Sequence, residues 1–198
     1  MEVMNMNIEV GFYNLWLIFL IVVAFQGVLM LIGNKLRGIK IENPEDHHNP
    51  KVYTVSSFPI LVLLVISIFT PIIMGPLFWT GCVLITIAGI IYVSTIIAFV
   101  KARKGLTTIG IYQISRNPMY IAWFLVFIAF TFMAWQADLI MGVLTAFITL
   151  LNIFVIHWMV LGEERFLSKK YGDAYREYMK RTPRYVGIPR SMKGDDKN

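Results

Sequence analysis

Charged residues fall into a few short clusters separated by long apolar gaps. Residues 10–34 and 52–100 carry no Asp, Glu, Lys or Arg, and residues 117–162 carry only Asp138. A helix rises about 1.5 Å per residue and the hydrocarbon layer of a bilayer is about 30 Å thick, so about 20 apolar residues make one crossing. The first gap therefore holds one helix, and each of the other two holds a pair. The breaks inside the long gaps are legible: Thr70-Pro71 and Gly75-Pro76 interrupt the second, and Trp135-Gln136-Ala137-Asp138 interrupts the third with an interfacial aromatic and an N-cap. The pattern predicts an all-α, polytopic membrane protein with five transmembrane helices near residues 11–33, 55–74, 77–100, 118–135 and 138–161.

Past Gly162 the pattern changes. Phe166, Leu167, Tyr171, Ala174, Tyr175 and Tyr178 recur at three- and four-residue steps with Lys and Arg between them, which predicts cytoplasmic C-terminal amphipathic helices. Gly172-Asp173 marks the end of one piece and the N-cap of the next, and the second piece ends before Thr182-Pro183. No internal repeat is visible, so residues 1–198 are read as a single integral membrane domain, with a polar tail at 193–198.

Composition agrees with lipid as the solvent, since 57% hydrophobic against 15% charged residues is too apolar for a water-soluble globule. Charge adds orientation. Five crossings put the first segment, the 70–78 turn and the Gln136 turn on one side, and none of these carries Lys or Arg; all 18 basic residues then lie on the other. By the positive-inside rule the N-terminus is outside, and the C-terminus and any active site are cytoplasmic. The net charge of +6 thus belongs to membrane flanks, and no nucleic-acid module accompanies it. The N-terminus has no basic n-region, so the first apolar stretch is expected to be a retained helix. Cys82 is the single cysteine, which excludes an intrachain disulfide. His47-His48 lacks a third ligand at helical spacing and reads as solvated, so no metal is expected.

Two polar motifs carry the candidate chemistry: Ser115-Arg116-Asn117-Pro118-Met119-Tyr120 before the fourth span, and Gly162-Glu163-Glu164 after the fifth. Counted from a hairpin turn at Ala137, both reach the same boundary within about 9 Å of depth, so they are expected to face each other. Asn117 at an N-cap with Pro118 at the first helical position is a common helix start, and that same start presents N–H groups to an anion. Arg116 either reinforces such a site or snorkels to lipid phosphate. The glutamates either pair with Lys169, Lys170 or Arg181 on a continuing helix, or one of them holds a cationic ligand. His157, an intramembrane ionisable group, is either functional or bonded to a backbone carbonyl. Arg116, Glu164 and His157 are the candidate substrate contacts.

At these residues the chain resembles the isoprenylcysteine carboxyl methyltransferase family and its phospholipid methyltransferase relatives, which are membrane enzymes that use S-adenosylmethionine. The resemblance covers about 101–189 and rests on an ordered set: Gly110-Ile111-Tyr112, Arg116-Asn117-Pro118-Met119-Tyr120, Glu163-Glu164, Tyr171-Gly172-Asp173 followed by Tyr175 and Tyr178, then Pro183-Arg184 and Pro189. It implies cofactor contacts from Lys104, Gly105, Leu106, Thr107, Tyr112, Asn117, Pro118, Met119, Tyr120 and Glu163, with the first three spans as scaffold and substrate wall. Asn117 stands where the family often has histidine, and it cannot act as a general base. Met159 stands where the eukaryotic prenylcysteine enzymes have an arginine. The implied activity is methyl transfer to a membrane lipid or lipid-like acceptor through a carboxylate, amine, phenol, enol or thiol. The competing readings are an NADPH-dependent reductase resembling the sterol reductases, and a non-catalytic scaffold or small transporter, which needs polar residues at midplane depth.

Overall fold

The structure, a computed structural model, describes residues 13–38, 50–102 and 105–187, with only the backbone of 50–56. Lys104, His47-His48 and Pro189 lie outside the described residues. Five long helices run in chain order: α1 (Trp16–Arg37), α2 (Pro50–Phe69), α3 (Pro76–Lys101), α4 (Pro118–Ala137) and α5 (Leu139–Tyr171); a 3₁₀ helix (Gly110–Gln113) precedes α4, and α6 (Asp173–Arg181) follows α5. No strand occurs among the described residues.

Four helices, α1, α3, α4 and α5, are long and apolar enough to cross a membrane, so this is a multi-pass membrane protein. The described apolar part of α2, Ser57–Phe69, is shorter than a span. Breaks between helices fall at the expected turns. Pro76 opens α3 at its first turn, and Asp138 caps α5, its carboxylate accepting from the amides of Ile140 at 2.8 Å and Met141 at 3.2 Å.

α5, which carries the fifth expected span, runs unbroken through Gly162, Glu163 and Glu164 to Tyr171, as the continuing-helix alternative for the glutamates requires. Nothing in that stretch breaks a helix except one glycine, which costs about 1 kcal/mol, and the residues around it are good helix formers. The glutamates therefore lie mid-helix, where the macrodipole does not oppose them. The amphipathic segment is in two pieces as expected, divided at Gly172, whose φ of 55° lies in the left-handed region that glycine tolerates. Tyr175 and Tyr178 form the buried face of α6.

Helix ends sort to two sides. On one, the Leu15 amide donates to Thr70 O, the Ile72 amide donates to Tyr13 O, and the Gln136 side chain accepts from the Leu77 amide. These contacts gather the start of α1, the end of α2, the start of α3 and the end of α4. On the other side lie the end of α1, the 105–117 segment and α6. The core between them is made of small residues and rings: Ala88, Ala122, Ala129 and Ala134 are fully buried beside Phe127 and Phe130, and Phe19 of α1 meets Phe130 edge-on. Close approach is required at Gly81, where a Cβ would come within 2.9 Å of the Ala129 carbonyl oxygen. Dispersion between such closely packed backbones holds helices together where lipid supplies no hydrophobic drive. Thr131 and Thr149 share a hydrogen bond of 2.8 Å between α4 and α5. Within the spans Gln26 and Asn152 are buried together with several Thr and Ser.

Candidate functional site

The two motifs do face each other. α4 and α5 are antiparallel neighbours joined at Asp138, so residues similarly far from that turn come level. Tyr120 donates its hydroxyl to Glu163 Oε2 at 2.8 Å, and Asn117 Nδ2 approaches Glu164 Oε1 at 3.4 Å. The adjacent glutamates point about 100° apart around the helix and end in different environments.

Glu164 is buried and neutralised. Arg184 donates to its Oε2 through Nε at 3.1 Å and Nη2 at 2.8 Å, and Arg116 Nη2 lies 3.3 Å from its Oε1. The bond to Glu164 holds the Arg184 guanidinium above its ordinary pKa despite partial burial. Neither glutamate's described bonds include Lys169, Lys170 or Arg181; Arg181 instead pairs with Glu177 at 3.4 Å. Asn117 occupies the N-cap position of α4, but its side chain makes no cap bond. It donates instead to Arg184 O at 3.1 Å and towards Glu164, while its own amide donates to Ser115 Oγ at 3.1 Å. The amide nitrogen is thus held at the Arg184 carbonyl and the Glu164 carboxylate, inside the cluster that Arg184 and Arg116 form around Glu164.

Glu163 is only half-buried, and among the described residues it makes no ion pair; its described bond is to the neutral Tyr120 hydroxyl. Tyr112 lies within its field. Burial raises the Tyr112 phenol well above its usual range, Glu163 raises it further, and Arg37 opposes both. Tyr178 donates its hydroxyl to the Tyr112 carbonyl at 2.6 Å, so α6 fixes the 3₁₀ helix beneath the site. Burial also pushes Tyr175 up to about 12. From α1, Arg37 donates to Thr107 Oγ1 at 3.0 Å and Gly105 O at 2.6 Å while stacking on Phe99. Gly105 has a φ of 82°, again a conformation suited to glycine.

Glu163, Tyr120 and Tyr112 therefore converge, with Gly105 and Thr107 held nearby by Arg37. Leu106 is half-buried and lines a 580 Å³ cavity with Thr108, Gln113, Glu177 and Arg181. Pro118 is buried, and Met119 packs its side chain against the helix core. His157 stands apart from this cluster, its Nδ1 3.1 Å from the Tyr185 hydroxyl. No group of three or more His, Cys, Asp or Glu suited to a metal occurs among the described residues.

Sequence reasoning assigned no role to Arg37, Ser115, Arg184 or Tyr185. Arg184 had a signal, since Pro183-Arg184 belongs to the ordered motif set. Arg37 had none, because it is one of several basic residues ending a span and its partners are 68 and 70 residues away.

The model of the phospholipid methyltransferase family matches residues 73–174. Comparison with curated proteins and with solved structures gave no match. The matched stretch runs from α3 through α5 into α6 and contains both facing motifs. With that match over half of its length, the chain belongs to the phospholipid methyltransferase family, a family of membrane methyltransferases.

Proposed function

We propose that the protein transfers a methyl group from S-adenosylmethionine to a lipidic or apolar acceptor, at a site on the cytoplasmic boundary of the membrane. The observation that carries this reading is the Tyr120–Glu163 hydrogen bond. It unites two motifs 43 residues apart and leaves a carboxylate without a basic partner among the described residues, beside two aromatic rings. Such a group suits a cofactor carrying a sulfonium and an ammonium, since a carboxylate at low dielectric holds a cation strongly. When bound, S-adenosylmethionine supplies an electrophilic methyl group. Glu163 and Tyr120 hold the cofactor, and Gly105, Leu106, Thr107 and Tyr112 border it, with Lys104 adjacent in sequence. Methyl transfer gains most from alignment and exclusion of water, so Asn117 in place of a titratable residue is compatible with it. Asn117 acts here by positioning: its amide ties the start of α4 to Glu164 and Arg184.

In this reading the chain crosses the membrane five times. α2 has 20 residues, about 30 Å of helix, and its end meets the start of α1. Five crossings leave every Lys and Arg on the cytoplasmic side, as the positive-inside rule requires.

Calorimetric titration of the purified protein in lipid-containing micelles tests the reading. Saturable binding of S-adenosylhomocysteine, weakened at least about 10-fold in Glu163→Gln, is the expected result, a charge-assisted bond being worth about 1.5–3 kcal/mol. Binding of NADPH with none of S-adenosylhomocysteine replaces it with the reductase reading.

A further inference from the structure

On α5, His157 lies seven residues before Glu164 and so on nearly the same face, about 10 Å deeper into the membrane. The chain leaving α6 follows this face. The Arg116 amide donates to Pro183 O at 2.9 Å, Ser115 Oγ donates to Arg184 O at 3.1 Å, and the Arg184 side chain grips Glu164. Tyr185 then turns inward, its hydroxyl on His157 Nδ1 and its ring edge-on to Phe124 at 5.4 Å. This short strap roofs one end of a 420 Å³ lateral groove between α4 and α5, lined by Ile121, Phe124, Leu150, Phe154, His157 and Tyr185 among others.

The groove is apolar except for its His157–Tyr185 end, and it opens from helices that qualify as membrane spans. Water finds too few polar partners along such walls, and an empty groove forfeits dispersion contacts. Its volume is within the range of about 300–1,000 Å³ typical of ligand sites. We infer that it takes one acyl chain of the phospholipid acceptor, tail towards Leu150, with the lipid's ester neck at the His157–Tyr185 pair. The inference rests on the lipid-acceptor reading above. The polar end fits an ester neck because the pair engages one imidazole nitrogen and leaves the second free to hydrogen bond, no partner for it occurring among the described residues. That end lies about 10 Å below the Glu164 cluster, nearer than the Leu150 end to the boundary at which a lipid headgroup sits.

The test uses the full chain in phosphatidylcholine vesicles doped with a phosphatidylethanolamine bearing a diazirine midway along one acyl chain. After photolysis, labelling at Leu150, Phe154 and Ile121 is expected to exceed by several-fold that at Val83, Ile87 and Ile90. Those α3 residues are exposed and lie outside this groove. Ile153→Trp, which fills the groove, should bring labelling down to the α3 level and raise the KM for lipid about 10-fold, with S-adenosylhomocysteine affinity unchanged; Leu150→Trp, at an exposed position, serves if Ile153→Trp does not fold. Even labelling of α3 and the groove, or labelling indifferent to the tryptophan, overturns the proposal. Groove-specific labelling in a protein that binds no S-adenosylhomocysteine overturns the cofactor reading and leaves the groove standing.

Discussion

Glu163 and Glu164 differ by one residue in position and by almost everything in environment. Glu164 is 6% exposed and sits between two guanidiniums, so its work is structural: it joins the start of α4, the middle of α5 and the strap after α6. Removing it strands Arg116, whose Nε and Nη1 already lack a hydrogen-bond partner among the described residues. Breaking a buried pair from one side costs about 3–5 kcal/mol. Glu164→Ala should therefore lower the thermal midpoint in detergent by many degrees, followed by intrinsic fluorescence; an unchanged midpoint would show the cluster to be energetically idle. Glu163→Gln keeps the Tyr120 hydrogen bond and should leave that midpoint where it is while losing cofactor affinity. The contrast between neighbours separates folding from binding.

At the scale of elements, the site depends on how closely α3, α4 and α5 pack. A side chain at Gly81 would press on the Ala129 carbonyl and on Met133, and backbone cannot move aside as a side-chain tip can. Gly81→Val should push α3 from α4 and cost about 1–3 kcal/mol, as overpacking of a tight interface does. Thermal unfolding checks this, with Gly27→Val as control, since a Cβ there meets nothing within 4 Å. Equal losses in the two variants would mean that helix propensity alone is being measured. α5 is the element that binds the molecule together, because its unbroken course carries His157, Glu163 and Glu164 on one rigid rod. A helix ending at 161 would have left the glutamates on a loop, with less control over their direction.

The whole molecule has a sided architecture: turns without Lys or Arg at one end, and basic segments with the facing motifs at the other. With Cys82 replaced by serine, single cysteines at exposed positions report the sides: Met74→Cys and Leu139→Cys should react with an impermeant maleimide added outside intact cells, while Lys101→Cys and Lys169→Cys should react only after permeabilisation. Met74 and Lys101 reacting from the same side would deny that α3 crosses. α1 and α3 both start at the end where the Ile72 amide donates to Tyr13 O.

Sequence by itself determined the class of solvent, the positions of the helix breaks, the segregation of charge and the pairing of two motifs at one depth. These follow from one-dimensional quantities: the length of an apolar run, the rise of a helix, and the signs of charges between runs. Tertiary structure decided which partner each polar side chain took. Asn117 reads locally as a cap, yet its amide nitrogen donates to the Arg184 carbonyl 67 residues on and towards Glu164. Arg37 and Tyr185 look like ordinary flanking residues until folding brings the end of α1 to the loop after α3 and the strap back along α5. Competition among distant polar groups for a scarce set of buried partners leaves no periodic trace in the chain. It is settled only when desolvation makes each unpaired group costly.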